Sequence, residues 1–350
     1  MNKGESSDVK TPRATRSTPL ISVVICNPDT GDALRRSLDA LRAQSLGADR
    51  FEVLVVDESS EEKARAGLET VSSALDLRCV QRTGEVHVGG RNPGLSLARA
   101  PIVLFVEGDE ILDQGCLEEH YLAHERHSEP HLAVLGYTGL REEAEHSPLM
   151  RYLADTRWRN VCCAEPLGPD AVDDPGFCAR LPSFKRRYLL EHGAFNPLFP
   201  LGADVRELGF RLGRTGLRVI HSTEATSVLT RSRGLDEVCN HCSLLGKADW
   251  FLTQMHPEQE ARSWARIDGV DSEWEAIAPL FRNIMKSARA LDRFAHERCR
   301  AGLALDDLTT RLLYRAYAAA LRASRVLGVV EAMSKPGFDP FHSIPLRVEG

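Results

Sequence analysis

The sequence lacks the features that mark membrane-spanning, secreted and nucleic-acid-binding proteins. It has no run of about 18 apolar residues, so we expect no helix that spans a bilayer. Residues 1–18 are polar and lack the apolar stretch of a signal peptide, which indicates a disordered tail and a cytoplasmic protein. The 44 basic and 50 acidic residues give a formal net charge of −6, and this balance argues against a nucleic-acid-binding surface.

Cysteines are present, but their spacing predicts neither a disulfide framework nor a metal site. Nine cysteines in 350 residues, with no small cysteine-rich module, are typical of reduced thiols in the cytosol. Cys239 and Cys242 form a single C-x-x-C pair within a helical pattern, and no second pair stands at metal spacing. The single pair therefore disfavours a zinc site.

Length and composition indicate a globular protein. A chain of 350 residues with 43% hydrophobic residues can bury a large core and has the length of roughly two domains. Short apolar stretches alternate with helical patterns in its first part. The predicted strands are 20–25, 51–56, 77–80 and 101–106, and the predicted helices follow the turn at 27–32, cover 61–75, and run from the loop at 89–94 to residue 100. This order is typical of parallel βαβ units, so we predict an α/β fold with a doubly wound, mostly parallel sheet.

Acidic side chains follow two of these strands. Asp57 ends the second strand, and Glu107 and Asp109 lie in the turn Glu-Gly-Asp-Glu after the fourth. Asn27 lies in the loop after the first strand. Because ligands of open α/β sheets bind at the carboxyl ends of the strands, we expect these side chains to meet at one ligand-binding edge. Carboxylates there can bind Mg²⁺ or Mn²⁺, which would hold phosphate oxygens, and the alternative is a set of solvated acidic turns.

Six motifs occur in an order that resembles a known family. They are V-V-I at 23–25, V-V-D at 55–57, G-R-N-P-G at 90–94, E-G-D at 107–109, P-S-F-K-R at 182–186 with G-A-F at 193–195, and D-V-R-E-L-G-F-R-L at 204–212. Over about three fifths of the chain, this order resembles the family 2 glycosyltransferases, which have the GT-A fold.

The resemblance implies an inverting transfer of a sugar from a nucleotide-diphosphate donor to an acceptor hydroxyl, with Mg²⁺ or Mn²⁺. It implies that Asp57 binds the nucleobase, Arg91 the diphosphate and Glu107 the ribose or sugar. It also implies that Asp109 binds the cation and that Asp204 is the general base. Negative charge on a leaving diphosphate would be stabilised by the cation and the arginine, and a carboxylate can take the acceptor proton. A helix cap is the alternative role of Asp204.

Departures from the family pattern support a second hypothesis. The first loop reads C-N-P-D at 26–29 where the family usually has P-T-Y-N, and Glu107 replaces an aspartate. The later acidic pair reads D-V at 204–205, and L-T-R stands at 229–231 where the family often has a histidine. The second hypothesis is a catalytically degenerate GT-A protein that binds a nucleotide or a partner without turnover. A nucleotidyltransferase is disfavoured because residues 27–32 lack a glycine-rich loop with a lysine.

The C-terminal third is predicted to be helical. Residues 236–255 and 272–331 are rich in Ala, Leu, Glu and Arg with few breakers, and they predict about three helices. The chain is therefore divided into a GT-A domain over 19–235, a helical extension over 236–333 and an irregular tail over 334–350.

The last predicted helix is amphipathic and basic. Its apolar residues are Leu312, Tyr314, Tyr317, Leu321 and Val326, and its arginines are Arg311, Arg315, Arg322 and Arg325. We favour packing on the catalytic domain or on a second copy in a homodimer. Peripheral contact with the inner membrane face is the alternative, because many members of the family act on lipid-linked acceptors. The sequence leaves the acceptor open among a glycan, a lipid-linked molecule and a small molecule.

Overall fold

The structure is a computed structural model that describes residues 18–26, 32–57, 75–81, 91–141, 147–156, 172–173, 181–199 and 202–334. The side chains of residues 32, 57, 81, 172 and 173 lie outside the described part. Asn27, nearly all of the predicted helix at 61–75, and nearly all of the predicted tails at 1–18 and 334–350 also lie outside it.

A mixed sheet of nine strands runs through the described residues. The strands are β1 (Ile21–Cys26), β2 (Phe51–Asp57), β3 (Leu77–Gln81), β4 (Ile102–Glu107), β5 (Glu110–Leu112), β6 (Leu132–Leu140), β7 (Val172–Asp173), β8 (Pro182–Lys185) and β9 (Arg218–Leu229). Their order is β3-β2-β1-β4-β8-β6-β9-β5, and β7 pairs with β9. Strands β1 to β4 are parallel, and β6 and β9 share their direction because β8 is antiparallel to both β4 and β6. The predicted α/β fold with a mostly parallel sheet is confirmed.

Helices cover both faces of this sheet. They are α1 (Asp32–Arg42), α2 (Arg91–Leu97), α3 (Cys116–Arg126), α4 (Pro148–Asp155), α5 (Arg186–Glu191) and α6 (Ala203–Gly213). On one face, Leu38 of α1 and Leu117 of α3 pack in a cluster with Val23 of β1. On the other face, Leu95 of α2 packs in a cluster with Val24. Successive residues of β1 are thus buried on opposite faces, which explains its continuous apolar sequence.

Residues 235–333 contain five α-helices where about three were predicted. They are α7 (Leu235–Met255), α8 (Gln259–Ala265), α9 (Val270–Ile277), α10 (Phe281–Arg300) and α11 (Asp307–Met333), with a 3₁₀ turn at Ala278–Leu280. The helix ends that were not predicted occur at residues that commonly stop or cap helices. Pro257 comes two residues after α7, Gly269 precedes α9 with a φ of +79°, and the Asp306 side chain caps α11 by accepting the N–H of Thr309 at 2.8 Å.

The predicted amphipathic helix is α11, and much of its apolar stripe is core. Tyr317, Leu321 and Val326 are buried. Two of its arginines are paired, Arg322 with a carboxylate of α9 and Arg325 with one of α7. These contacts agree with packing on the rest of the chain. Among the described residues, every helix is too short or too polar to cross a membrane.

Three element predictions need correction. The apolar run at 217–220 predicts a short strand that ends before His221, whereas strand β9 extends to Leu229 and contains His221. Strand β6 was not predicted. The spacing of Leu34, Leu38 and Leu41 predicts a first helix that stops near Gly47. Helix α1 ends at Arg42 instead, because the residues after it form turns such as the one in which the N–H of Gly47 donates to the carbonyl of Gln44.

Candidate active site

The carboxyl ends of β1, β2 and β4 lie side by side. In the sheet, Cys26 at the end of β1 is level with Val56 of β2 and Glu107 of β4. Asp57 directly follows Val56, and the N–H of Gly108 donates to the carbonyl of Cys26 at 3.0 Å. The strands that carry the predicted acidic residues therefore end at one edge.

Arg91 begins α2 and joins two acidic residues that lie far apart in the chain. Its Nη2 donates to Glu107 Oε1 at 2.5 Å, and its Nη1 donates to Asp204 Oδ2 at 2.6 Å. The side chains of Arg91 and Asp204 are buried, and that of Glu107 is 18% exposed. Because one guanidinium binds both carboxylates, three predicted site residues form a single cluster.

Residues of the G-R-N-P-G motif hold Arg91 in this position. A Cβ at Gly94 would lie 2.3 Å from Cγ1 of Val24, so glycine allows α2 to approach β1 closely. The ring centre of Phe195 lies 5.4 Å from the guanidinium carbon of Arg91, a cation–π contact. Asn92 fixes the backbone of Phe195, since its Nδ2 donates to the carbonyl at 2.7 Å and its Oδ1 accepts from the N–H at 3.1 Å. The motif thus builds its own support for the arginine.

Asp204 lies in the first turn of α6 and is fully buried. Its Oδ1 accepts from the N–H groups of Gly202 and Val205, both at 2.9 Å, while its Oδ2 accepts from Arg91. Backbone N–H groups at the start of a helix stabilise a carboxylate charge. Gly202, and not Asp204, is the N-cap residue of α6; Asp204 combines two backbone hydrogen bonds with an ion pair, and its carboxylate is closed to solvent.

Burial and charge together determine the protonation of this cluster. Burial by itself would lower the pKa of Arg91, but Asp204 and Glu107 outweigh that effect and raise the pKa, so the guanidinium stays charged. Burial raises the pKa of the neighbouring Cys26 thiol; Arg91 opposes this rise, and the two carboxylates add to it. The thiol is therefore protonated and is not a nucleophile.

A second arginine meets the acidic turn from the other side. The carbonyl of Asp109 accepts from the N–H of Thr230 at 2.8 Å, just after β9. The loop that follows brings Arg233 Nη2 to 3.4 Å from Asp109 Oδ2. Both side chains are partly exposed, 18% for Arg233 and 11% for Asp109. Arg233 was not among the predicted site residues, and 124 residues separate it from Asp109 in the chain.

Two further acidic residues have structural partners. Glu110 is fully buried; its Oε2 accepts from the N–H of Glu107 and its Oε1 from the hydroxyl of Thr138, both at 3.0 Å. These bonds fix the shape of the acidic turn. Glu207, on the second turn of α6, pairs with Arg211 at 2.9 Å.

The described residues offer few metal ligands. They contain no group of three or more His, Cys, Asp or Glu side chains that could hold a metal ion. Asp109 is nevertheless a partly exposed carboxylate in the acidic turn, and Mg²⁺ is often bound by one or two carboxylates together with substrate phosphates and water. The described donor set therefore fits a cation that arrives with phosphates, and not one bound by these side chains alone.

Four of the six predicted site residues are described in full. Arg91 is in contact with Glu107 and with Asp204. The fourth, Asp109, pairs with Arg233. The backbone of Asp57 ends β2 at the same edge, but its side chain and the whole of Asn27 lie outside the described part.

Comparison with known proteins adds to this geometry. Residues 22–167 match the model of glycosyl transferase family 2. These residues form a family 2 glycosyltransferase domain. The domain includes Arg91 and the acidic turn, and Asp204 follows it in the chain. Validoxylamine A glucosyltransferase from Streptomyces hygroscopicus subsp. jinggangensis (strain 5008) is 33% identical over 98 residues, a match that spans 27% of this chain and 23% of that relative.

Two solved structures share the fold. The mannosyltransferase PcManGT from Pyrobaculum calidifontis, in complex with GDP-Man and Mn²⁺, has a TM-score of 0.56 at 19% identity over 91% of this chain and 88% of its own. S. aureus TarS 1–349, in complex with UDP-GlcNAc, has a TM-score of 0.51 at 14% identity over 90% of this chain and 92% of its own. The predicted GT-A fold of the family 2 domain is confirmed.

Proposed function

We propose that this protein is an inverting glycosyltransferase that moves a sugar from a nucleotide-diphosphate donor to an acceptor hydroxyl. The supporting observation is the contact of Arg91 with both Glu107 and Asp204 at the carboxyl edge of the sheet, in a chain with a family 2 glycosyltransferase domain. Such an edge is the usual ligand site of an α/β fold. The fold relatives bound to GDP-Man and UDP-GlcNAc make GDP- and UDP-sugars the first donors to test.

Each residue proposed to bind the nucleotide sugar contacts a different part of it. Asp57 would bind the nucleobase, with Asn27 in the adjoining loop, and Glu107 would bind the ribose or the sugar. Arg91 would contact the diphosphate. Negative charge develops on the diphosphate as the sugar–phosphate bond breaks, and a positioned guanidinium stabilises that charge most strongly in the transition state.

The proposed general base is Asp204. Inversion requires the acceptor hydroxyl to stand opposite the leaving group, with a carboxylate within hydrogen-bond reach to take its proton. In the structure this carboxylate is buried and bound by Arg91. We therefore expect the donor to bind first and to open Asp204 to the acceptor, which binds second.

Asp109 is the residue proposed to hold Mg²⁺ or Mn²⁺ together with the donor phosphates. When bound, the cation would neutralise negative charge on the departing diphosphate. Its binding requires the carboxylate of Asp109, which Arg233 contacts in the structure.

A donor panel tests the proposed function. The purified protein is incubated with GDP-mannose, UDP-glucose, UDP-N-acetylglucosamine or dTDP-glucose in Mg²⁺ or Mn²⁺, and the released nucleoside diphosphate is measured. We expect slow hydrolysis of at least one donor, abolished by Asp109→Asn and retained by the nearby control Asp113→Asn. Neither binding nor release with any donor would contradict the proposal. Binding without release would favour the degenerate alternative.

A further inference from the structure

A second guanidinium stands at the rim of the candidate site and has no role in the function proposed above. Arg233 lies in the loop between β9 and α7, and hydrogen bonds to two other segments hold this loop in place. Thr230 donates to the carbonyl of Asp109 through its N–H at 2.8 Å and its hydroxyl at 3.1 Å, and the N–H of Arg233 donates to Met150 Sδ at 3.4 Å. The backbone of Arg233 is therefore held beside the acidic turn.

The two arginines of the site differ in how firmly they are held. Arg91 is 3% exposed and uses both terminal nitrogens in short bonds of 2.5 and 2.6 Å. Arg233 is 18% exposed and meets Asp109 through one nitrogen at 3.4 Å; its Nε lies 3.9 Å from Glu237. A long, single contact at a partly exposed position is weaker than two short charge-assisted bonds in a buried one. Arg233 can therefore exchange its partner at the lower cost.

The formal charges of the site create a need for such an exchange. Among the described side chains, the carboxylates of Glu107, Asp109 and Asp204 stand against the two arginines, and the buried carboxylate of Glu110 lies in the same turn. A diphosphate that enters beside these carboxylates brings further negative charge and needs a cation close to it. A divalent cation on Asp109 would compete with Arg233 for the same carboxylate, and the displaced guanidinium would be free to meet the phosphates.

We propose, on the basis of the function proposed above, that Arg233 binds the diphosphate of the nucleotide donor after it leaves Asp109. In the structure Arg233 is paired with Asp109 at the rim of the site. Arginine suits this role because its planar fork of N–H donors matches phosphate oxygens. The partner exchange also gives Arg233 a function when no metal is bound, since the guanidinium alone can then carry the contact with the diphosphate.

This exchange predicts opposite behaviour for the two partners in the absence of metal. Arg233→Gln removes the proposed phosphate contact, so GDP or UDP should bind about 10- to 100-fold more weakly in EDTA, the usual loss for a charge-assisted hydrogen bond. Asp109→Asn releases Arg233, so it should leave binding in EDTA equal or tighter. With Mn²⁺, Asp109→Asn should lose any gain in affinity that the cation gives the natural protein.

Calorimetry with GDP, UDP and the nucleosides guanosine and uridine provides the test. The matched control is Arg231→Gln, because Arg231 lies two residues away, is half exposed and pairs with Glu237 at 2.9 Å. We expect the control to bind like the natural protein, and Arg233→Gln to lose affinity for the diphosphate but not for the nucleoside. Arg233→Lys, which keeps the charge, should fall between them, and thermal melts confirm that each variant is folded.

Each outcome decides a separate question. If Arg233→Gln binds GDP and UDP as tightly as the Arg231→Gln control in EDTA, the inference about Arg233 is wrong and the proposed function stands. Equal weakening by Arg233→Gln and Asp109→Asn in EDTA would show that Arg233 acts only by supporting Asp109, which also overturns it. If the natural protein binds neither nucleotide in EDTA or Mn²⁺ and releases no nucleoside diphosphate from any donor of the panel, the proposed function itself fails.

Discussion

Arg91 is the side chain on which the geometry of the candidate site depends most. It connects the start of α2, the end of β4 and the first turn of α6, and its two terminal nitrogens make the connecting bonds to Glu107 and Asp204. Its Nε has no hydrogen-bond partner among the described residues. Removal of one partner from a buried ion pair leaves an uncompensated charge, which is far more costly than loss of a surface pair.

Replacement of Arg91 by Gln should therefore lower the free energy of unfolding by about 3–5 kcal/mol, because Asp204 would remain buried without its ion pair. Urea denaturation measures this change. Arg187→Gln is the control, since Arg187 is 90% exposed and pairs along its own helix with Glu191, and it should leave stability nearly unchanged. Equal stability of the two variants would contradict the role given to Arg91.

Two buried histidines converge on one serine hydroxyl, away from the proposed chemistry. His120 Nδ1 and His124 Nε2, both on α3, lie 2.8 and 2.9 Å from Ser183 Oγ on β8. Burial lowers the pKa of each histidine to about 3; the charge of His124 adds to the effect on His120, and that of Lys185 adds to the effect on His124. Both rings are therefore neutral in the folded protein over most of the acidic range.

Acidification from pH 7 to pH 5.5 should destabilise the protein through these histidines. Below about pH 6.5 the unfolded chain binds protons at both rings and the folded chain does not, so stability present above that pH is lost as the pH falls. At pH 5.5 the two rings together should account for about 2–3 kcal/mol. Urea denaturation of the double variant His120→Gln, His124→Gln should show a flatter pH dependence. Parallel curves for the variant and the natural protein would exclude this effect.

At the scale of elements, α7 and α11 cross at two glycines. A Cβ at Gly246 would lie 2.1 Å from the carbonyl oxygen of Arg325, and a Cβ at Gly328 would lie 2.0 Å from that of Ser243. Each glycine thus faces the backbone of the other helix, so the two helices approach more closely than any side chain would allow. The same approach brings Arg325 to Asp249, which lies one turn beyond Gly246.

Gly246→Ala and Gly328→Ala should each lower the free energy of unfolding by about 1–3 kcal/mol, because a backbone oxygen cannot rotate away from the added methyl group. Alanine is the better helix former by about 1 kcal/mol, so a loss measured by urea denaturation reports the clash. Gly115→Ala, where a Cβ meets nothing within 4 Å, is the control and should not destabilise the protein. Alanine variants as stable as this control would show that the helices do not cross so closely.

Continuous apolar strands could be predicted from the sequence, whereas glycine-containing and alternating strands could not. Strands β1 and β4 lie within one residue of the predicted 20–25 and 101–106, since both of their faces are covered and nearly every residue is apolar. Strand β6 contains Gly136 and Gly139, which are typical of loops. Beyond His221, β9 has many Ser and Thr residues and alternates between buried and partly exposed positions, so its second half does not form an apolar run.

At the scale of the whole molecule, the C-terminal helices are joined to the site by a buried carboxylate. Asp249 of α7 accepts from Arg206 at 2.6 Å and from Arg325 at 2.8 and 3.0 Å. Arg206 lies in α6, two residues after Asp204. Phe199, just before α6, also packs in one cluster with apolar residues of α7 and α11. We expect the helical extension to hold the helix of the proposed base in place and to unfold together with the sheet.

Asp249→Asn should lower the free energy of unfolding by about 3 kcal/mol, because the two arginines lose a buried partner. It should also lower kcat for sugar transfer while it changes the Kd for the donor nucleotide much less, since it loosens α6 and not the carboxyl edge of β1 to β4. Asp236→Asn is the control, because Asp236 lies on the same helix but pairs with Arg289 at an exposed position. A kcat equal to that of the control would contradict the coupling of the helices to the site.

The sequence could predict the place of the site but not all of its charged contacts. Strand ends put Asp57 and Glu107 at one edge, as the rule for ligand sites in α/β sheets requires. The ion pair of Arg91 with Asp204 spans 113 residues, and the contact of Arg233 spans 124. Such pairs depend on how distant segments pack, which no local pattern encodes. The loop after β9, where the family often has a histidine, contacts the acidic turn through Arg233 instead.

A crystal structure of the protein with Mn²⁺ and the nucleoside diphosphate that binds more tightly, GDP or UDP, is the most direct test of the proposed donor site. We predict a nucleotide at the carboxyl edge of β1, β2 and β4, with its base at Asp57 and its diphosphate beside Asp109, in contact with Arg91 and Arg233. A nucleotide bound elsewhere, for example in the cleft between α7, α10 and α11, with Asp57 and Asp109 facing no common ligand, would contradict it.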